Sequence, residues 1–178
     1  MKSYAFGAQL LWSDGVTATV AAESILLEAI PGATAVRRAT REEDRTGVDW
    51  WVELANGHAL AIDMKARSVD PLNAYGTDDL ALEVWSVVQG AKRKQGWTLD
   101  ADKRCDYILW VWMATGRWCL VPFPMLCTVF RERFGEWMSA YREFTQDTGG
   151  RWQSSCIFVP RKVVWRAIYD RYGGERVA

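Results

Sequence analysis

The chain has 178 residues, and 22 lysine and arginine residues balance 22 aspartate and glutamate residues, so the formal net charge is zero. Hydrophobic residues make up 49% and charged residues 25%, an ordinary globular composition that excludes disordered and collagen-like classes. The single histidine excludes mechanisms that need two histidines, and zero net charge by itself argues against a dedicated nucleic-acid-binding protein.

The first half of the chain predicts a helix followed by three strands. Residues 16–30 have a helical pattern that ends at Pro31-Gly32. Residues 33–40 and 47–54 predict strands, and a tight Ala-Asn-Gly turn leads into a third strand over residues 58–65. A polar loop follows, and residues 78–95 predict an amphipathic helix.

The second half predicts strands and helices in alternation. The expected elements are strands at 106–113 and 118–121, a helix from about 122 towards 144, a strand at 155–159 and a helix at 161–172. This order predicts an α/β fold with a mixed central β-sheet flanked by helices. Because no long linker interrupts the chain, we expect a single domain over 1–178, with a core at about 17–121 and a C-terminal elaboration at about 122–178.

The cysteines and the hydrophobic segments indicate in which cellular compartment the protein is expected. The four cysteines form no C-x-x-C pair, so we expect buried thiols in a reducing cytoplasm. The N-terminus has no sustained apolar segment, and the chain has no apolar run long enough to span a membrane. We therefore expect a soluble, cytoplasmic protein without a membrane partner.

Residues 48–65 predict a β-hairpin whose register follows from its apolar positions. The even-numbered residues from 48 to 54 and from 60 to 64 are apolar and must face the same core. A two-residue loop would pair odd with even residues and push charged side chains into the core. A three-residue loop, with Gly57 in the left-handed conformation of a G1 bulge, pairs Leu54 with His58 and restores the match.

The predicted register has a chemical consequence, because it places Asp49 directly opposite Asp63. Lys65 lies two residues further along the same face. Opposed carboxylates repel each other, and a divalent cation such as Mg²⁺ or Mn²⁺ removes that cost. A lysine beside the cation orients or deprotonates an attacking water and stabilises charge in the transition state. The alternative is a solvated strand face that carries these charges and binds no ligand.

The first predicted helix adds a third carboxylate. Glu23 lies in the middle of an arc of apolar residues on the helical wheel. These are Val20, Leu26, Leu27 and Ile30. A carboxylate at a core-facing position is costly unless it is paired or metal-bound, so we expect Glu23 to face the charged side of the hairpin. A plain salt bridge is the alternative.

This combination of a helix with an inward glutamate and a hairpin with Gly-Val-Asp and Ile-Asp-Met-Lys resembles the PD-(D/E)xK phosphodiesterase superfamily. Restriction endonucleases, Holliday-junction resolvases and RecB-type exonucleases belong to that superfamily. The resemblance covers residues 17–113 and implies a restriction-endonuclease-like core of order αβββαβ. Val48 stands where the motif has proline.

The resemblance also implies roles for individual residues. Asp49, Asp63 and the backbone carbonyl of Met64 would hold Mg²⁺ or Mn²⁺. Lys65 would position the attacking water, and Glu23 would complete or orient the metal shell.

The predicted helix at 78–95 offers a small, polar edge with a basic end, which suits contact with a phosphate backbone. Trp97 follows and is suited to lie near a base. The alternative is the ordinary solvated boundary of an amphipathic helix. The expected substrate-binding residues are Glu83, Ser86, Lys92, Arg93, Lys94 and Trp97.

These features together predict a Mg²⁺-dependent nuclease, most simply an endonuclease, that hydrolyses DNA phosphodiester bonds. Cutting both strands of a duplex usually needs two active sites, which favours a homodimer. The alternative is a nuclease-like fold without turnover, in a small phage or mobile-element protein that inhibits a host complex or serves as a subunit. The 11 tryptophans and the neutral charge favour protein contact in this alternative.

Overall fold

A computed structural model of the chain describes residues 16–88, 93–147 and 153–173. Within these ranges the chain forms two compact units, each with its own β-sheet. The five-stranded unit contains residues 16–70 and 102–123, and the four-stranded unit contains the other described residues. Residues Pro71–Ala101 thus group with the C-terminal part of the chain. The single domain expected from the sequence stays a prediction.

The described elements follow one another in this order. The first are helix α1 (Val16–Ala29), strand β1 (Ala33–Arg38), helix α2 (Arg41–Asp44), strands β2 (Trp50–Leu54) and β3 (Ala59–Arg67) and helix α3 (Pro71–Tyr75). The next are strands β4 (Asp79–Val87), β5 (Lys94–Gln95), β6 (Tyr107–Trp112) and β7 (Arg117–Pro122) and helix α4 (Phe123–Glu132). The last are helix α5 (Phe134–Ala140), strands β8 (Glu143–Asp147) and β9 (Gln153–Pro160) and helix α6 (Arg161–Tyr172).

The five-stranded unit is built on a mixed sheet of order β1-β2-β3-β6-β7. Strands β3 and β6 are parallel, and the other neighbouring pairs are antiparallel. Helix α1 contributes to the hydrophobic core on one face of this sheet. The buried members of that core are Ala22, Leu26, Ile30, Trp50, Val52, Ile62, Leu109 and Val111. The α/β class and the mixed sheet expected from the sequence are confirmed.

The β2–β3 hairpin has the predicted register. Trp50 pairs with Ile62, and Val52 pairs with Leu60. The turn is closed by a hydrogen bond of 2.8 Å from the backbone N–H of Leu54 to the carbonyl of His58. Gly57 has φ +82°, the left-handed conformation that a side chain would disfavour. The three-residue loop with a left-handed glycine is therefore confirmed.

The four-stranded unit contains an antiparallel sheet of order β5-β4-β9-β8. The predicted helix at 78–95 is wrong, because residues 79–87 form β4 at the interior of this sheet. Alternate residues Leu80, Leu82 and Val84 are fully buried, as a strand requires. The predicted second helix of the αβββαβ core is therefore absent from this described segment.

The C-terminal part also differs in detail from the prediction. The long helix expected from 122 towards 144 is two helices, α4 and α5, followed by strand β8. Phe130 contacts Phe134 and Trp137 edge to face, with ring centroids 5.7 and 5.9 Å apart. Strand β9 and helix α6 lie where they were expected. No described helix has both the length and the apolar character needed to cross a membrane.

Candidate acid–lysine site

The candidate site lies at the start of the β2–β3 ladder. Asp49 immediately precedes β2, and continuing the observed register by one residue sets it beside Asp63. The backbone N–H of Asp49 donates to the carbonyl of Ile62 at 2.8 Å, and its Oδ2 accepts a hydrogen bond of 2.6 Å from the N–H of Met64. These two bonds clamp Asp49 onto β3. The two carboxyl groups lie close enough together that the negative charge of Asp63 raises the pKa of Asp49.

Asp63 is the centre of a charge cluster that also contains Asp49, Lys65 and Lys103. Its side chain is buried, with 3% of the residue exposed, although it carries a charge. The ammonium of Lys65 lies 2.9 Å from Oδ1 and 2.8 Å from Oδ2 of Asp63. A second ammonium, that of Lys103, lies 2.7 Å from Oδ2. A buried charge is tolerated when it is paired, and Asp63 is paired twice.

Lys103 comes from the segment that leads into β6, and sequence reasoning missed it. Its side chain is only 7% exposed, and Nζ also donates to the carbonyl of Gly47 at 3.0 Å. Gly47 has φ +85°, and a Cβ built there would lie 2.5 Å from the Lys103 Nζ. Glycine at this position therefore leaves the space that the ammonium occupies. No motif or periodicity in the sequence links Lys103 to the hairpin.

The environment shifts the pKa values of the two carboxyl groups in opposite directions. Burial, the negative charge of Asp63 and the hydrogen bond to its carboxyl raise the pKa of Asp49 to about 7. Burial alone would raise the pKa of Asp63, but the charges of Lys65 and Lys103 outweigh it and hold that pKa below its usual range. Asp49 therefore keeps its proton below about pH 7, whereas Asp63 stays ionised.

Lys103 is held in its charged form by the same contacts. Burial alone would lower its pKa, but the charge of Asp63 and the hydrogen bond to that carboxylate raise it. The cluster is thus an ionised Asp63 between two ammonium groups, with Asp49 beside it about half protonated at neutral pH.

The donor chemistry of this pair suits a hard divalent cation. Two carboxyl groups in contact provide oxygen ligands, and Mg²⁺ normally takes its remaining ligands from water and substrate phosphate. Among residues 16–88, 93–147 and 153–173, no three His, Cys, Asp or Glu side chains cluster in a way that could hold a metal. Met64 contacts Asp49 through its backbone N–H, and a metal-binding role for its carbonyl stays a prediction.

The expected inward position of Glu23 is wrong. Glu23 is exposed, whereas Ala22, Leu26 and Ile30 are the buried residues of its helix. That helix packs on the sheet face that carries Trp50 and Ile62. The side chain of Asp63 lies on the opposite face, because strand residues alternate. The structure therefore does not bring Glu23 to the acidic pair, which consists of Asp49 and Asp63.

The expected substrate-binding residues cluster on the β4–β5 hairpin of the four-stranded unit. Glu83 accepts a hydrogen bond of 3.0 Å from the N–H of Trp97, and Ser86 donates to the carbonyl of Gln95 at 2.9 Å. These two side chains therefore hold the hairpin together. Arg93 is exposed and lies over the ring of Trp85, 5.1 Å from its centroid. Lys94 is exposed as well, and Lys92 lies outside the described residues.

Comparison of the chain with protein-family models, with curated proteins and with solved structures finds no match. The resemblance to the PD-(D/E)xK superfamily therefore stays a prediction carried by the residues of the hairpin.

Proposed function

We propose that the protein is a metal-dependent phosphodiesterase that hydrolyses DNA, with Asp49 and Asp63 holding Mg²⁺ or Mn²⁺. The observation that supports this most directly is the placement of Asp49 opposite Asp63 by the β2–β3 register, with the ammonium of Lys65 2.9 Å from Asp63 Oδ1. A fold gains no stability from a buried carboxyl group beside a half-buried one unless a proton or a cation offsets their negative charges. Such pairs with shifted pKa values are concentrated at functional sites.

The order of the elements also supports the proposal. Helix α1 and strands β1, β2 and β3, with the short helix α2 between β1 and β2, are followed after an intervening segment by β6, which pairs with β3. This agrees with the expected αβββ start and with a further strand in the same sheet. The difference is that the intervening segment contains strands β4 and β5 in place of the expected helix.

Each site residue has a distinct chemical task in this proposal. Asp63 and Asp49 bind the cation, which supplies charge neutralisation at the phosphate and a lower pKa for an attacking water. The side chain of Lys65 is 22% exposed, so it can reach substrate while it remains on Asp63. Its ammonium donates hydrogen bonds that position the water and stabilise the negative charge of the transition state. The exposed cations Arg93 and Lys94 are the proposed contacts to DNA phosphates.

The experiment is cleavage of supercoiled plasmid and of short single-stranded, duplex and branched DNA, with Mg²⁺ or Mn²⁺ and with EDTA. We expect metal-dependent cleavage that falls at least about a hundredfold in Asp63→Asn and in Lys65→Met. Matched controls are Asp44→Asn and Lys162→Met, which alter exposed side chains. Absence of cleavage of every DNA form with both metals, by a folded wild-type protein, would refute the enzymatic proposal.

A second candidate function is supported by Lys103. Its ammonium occupies one oxygen of Asp63, so a cation is already present at the acidic pair. A site closed in this way suits a nuclease-like fold that binds a protein partner without turnover. In that case Asp63→Asn lowers stability, and wild-type protein shows neither DNA cleavage nor Mn²⁺ binding.

A further inference from the structure

The ammonium of Lys103 lies in a pocket made of groups that bind cations. A carboxylate oxygen of Asp63 lies 2.7 Å from Nζ, and the carbonyl oxygen of Gly47 lies 3.0 Å from it. The ring of Phe123 lies beneath the ammonium, with its centroid 5.9 Å away. Carboxylate and carbonyl oxygens are also the ligands that Mg²⁺ and Mn²⁺ prefer. Lys103 and a divalent cation would therefore use the same oxygens.

Two hydrogen bonds anchor the residues that directly follow Lys103. The backbone N–H of Arg104 donates to the carbonyl of Thr46 at 3.4 Å. Asp106 Oδ2 accepts a hydrogen bond of 2.8 Å from the N–H of Ala61 on β3. These contacts tie the segment to the loop before Asp49 and to the strand that carries Asp63. These hydrogen bonds therefore hold the backbone that places the Lys103 ammonium at Asp63.

Two cations on one carboxylate oxygen repel each other strongly in a buried site, where screening by water is weak. The ammonium of Lys65 repels a metal ion less strongly, because its side chain is three times more exposed to water than that of Lys103. A metal ion that binds the acidic pair is therefore repelled mainly by the ammonium of Lys103.

We propose that Lys103 is a built-in competitor of the divalent cation at Asp63, so that metal loads this site only when the ammonium leaves Oδ2. This inference rests on the proposed function, because it assumes that the metal binds Asp49 and Asp63. It makes Lys103 a residue that controls metal occupancy and assigns it no direct part in the reaction.

The test is direct Mn²⁺ binding to the full chain, measured by electron paramagnetic resonance in the absence of DNA. We expect Lys103→Met to bind Mn²⁺ on the order of tenfold more tightly than wild type. Arg104→Met is the matched control, because it removes the same charge from the adjacent, exposed residue and should change the affinity less than twofold. Lys103→Gln is a second variant, since its amide can still donate to the Gly47 carbonyl if Lys103→Met fails to fold.

Each outcome has a definite meaning. Tighter Mn²⁺ binding in the Lys103 variants, removed again by adding Asp63→Asn, supports the inference. Equal or weaker binding in the Lys103 variants, with Asp63-dependent binding in wild type, overturns the inference and leaves the metal site intact. If neither wild type nor the Lys103 variants bind Mn²⁺, the metal site of the proposed function fails, and this inference fails with it.

Discussion

The two faces of the β2–β3 hairpin differ in character, although their residues alternate along the same two strands. One face carries Trp50 and Ile62, which are buried in the apolar core with helix α1. The other face carries Asp63 and Lys65, and Asp63 is as deeply buried as its apolar neighbours. The apolar face stabilises the fold by removing hydrocarbon from water, whereas burial of Asp63 costs free energy that only ion pairs offset.

This difference shows which face is required by the fold and which is available for chemistry. Apolar residues in place of both Asp63 and Lys103 would suit the sheet equally well, since replacing a whole buried ion pair with apolar groups is often neutral or stabilising. The stability of the sheet therefore does not require this ion pair. Three substitutions test this contrast.

The largest effect on stability is expected on the apolar face. Ile62→Ala removes a fully buried side chain and should lower the free energy of unfolding by about 3 kcal/mol, within the usual range of 2–5 kcal/mol for such changes. The measurement is urea denaturation followed by circular dichroism. Leu60→Ala is the matched control, because Leu60 lies on the same strand and face but is only partly buried, and it should cost less. An equal or larger loss in Leu60→Ala would contradict the assignment of the core.

The second effect is a pH dependence on the polar face. The pKa of Asp49 is raised to about 7 in the folded protein, so its proton stabilises the fold. That stabilisation is complete below the pKa of the unfolded chain, near 4, and is lost as the pH rises towards 7. The Asp49→Asn variant has no such proton to lose. In EDTA, its free energy of unfolding should therefore rise by about 2 kcal/mol relative to that of wild type between pH 5 and pH 7.

The window from pH 5 to pH 7 isolates Asp49 from its partner. The pKa of Asp63 is lowered, so its contribution is lost only at more acidic pH. Glu53→Gln is the matched control, because it removes an exposed carboxyl group from β2, the strand that Asp49 directly precedes. Its free energy of unfolding should depend on pH in the same way as that of wild type. A constant difference between Asp49→Asn and wild type over this window would show that the two carboxyl groups are not in contact in solution.

The smallest effect is expected on helix α1. Glu23 is exposed, so Glu23→Gln should change the free energy of unfolding by less than about 0.5 kcal/mol and leave metal-dependent cleavage unchanged. The neighbouring Ala22→Gln places a polar amide at a fully buried position and should be strongly destabilising. Loss of cleavage in Glu23→Gln at unchanged stability would restore the role that the sequence predicted for Glu23.

The outcome for Glu23 shows how a helical wheel can be misaligned. The predicted arc included Leu27, which is 42% exposed in the structure. The buried stripe is instead Ala22, Leu26 and Ile30, spaced by four residues. Alanine adds little hydrophobicity to the pattern, so a stripe that begins with alanine is easily overlooked. The shift of one position moves Glu23 from the centre of the buried arc to its exposed side.

The segment at 78–95 illustrates a second ambiguity. Leu80 and Val84 are four residues apart, a spacing that places them on one face of a helix and equally on one face of a strand. Leu82 lies between them and is also fully buried, which only a strand permits. Pairing with β9 decides the structure, and that partner lies far along the chain.

The sequence by itself determined the hairpin and the placement of Asp49 opposite Asp63. Alternation of apolar residues and a turn glycine are local signals, and together they define the register. Only the tertiary structure decided that Lys103 lies on Asp63, because that contact depends on the parallel pairing of β3 with β6 and on the loop at Gly47. Periodicity along the chain carries no information about which distant segment supplies the counter-charge, so the cation at the acidic pair emerged only from the fold.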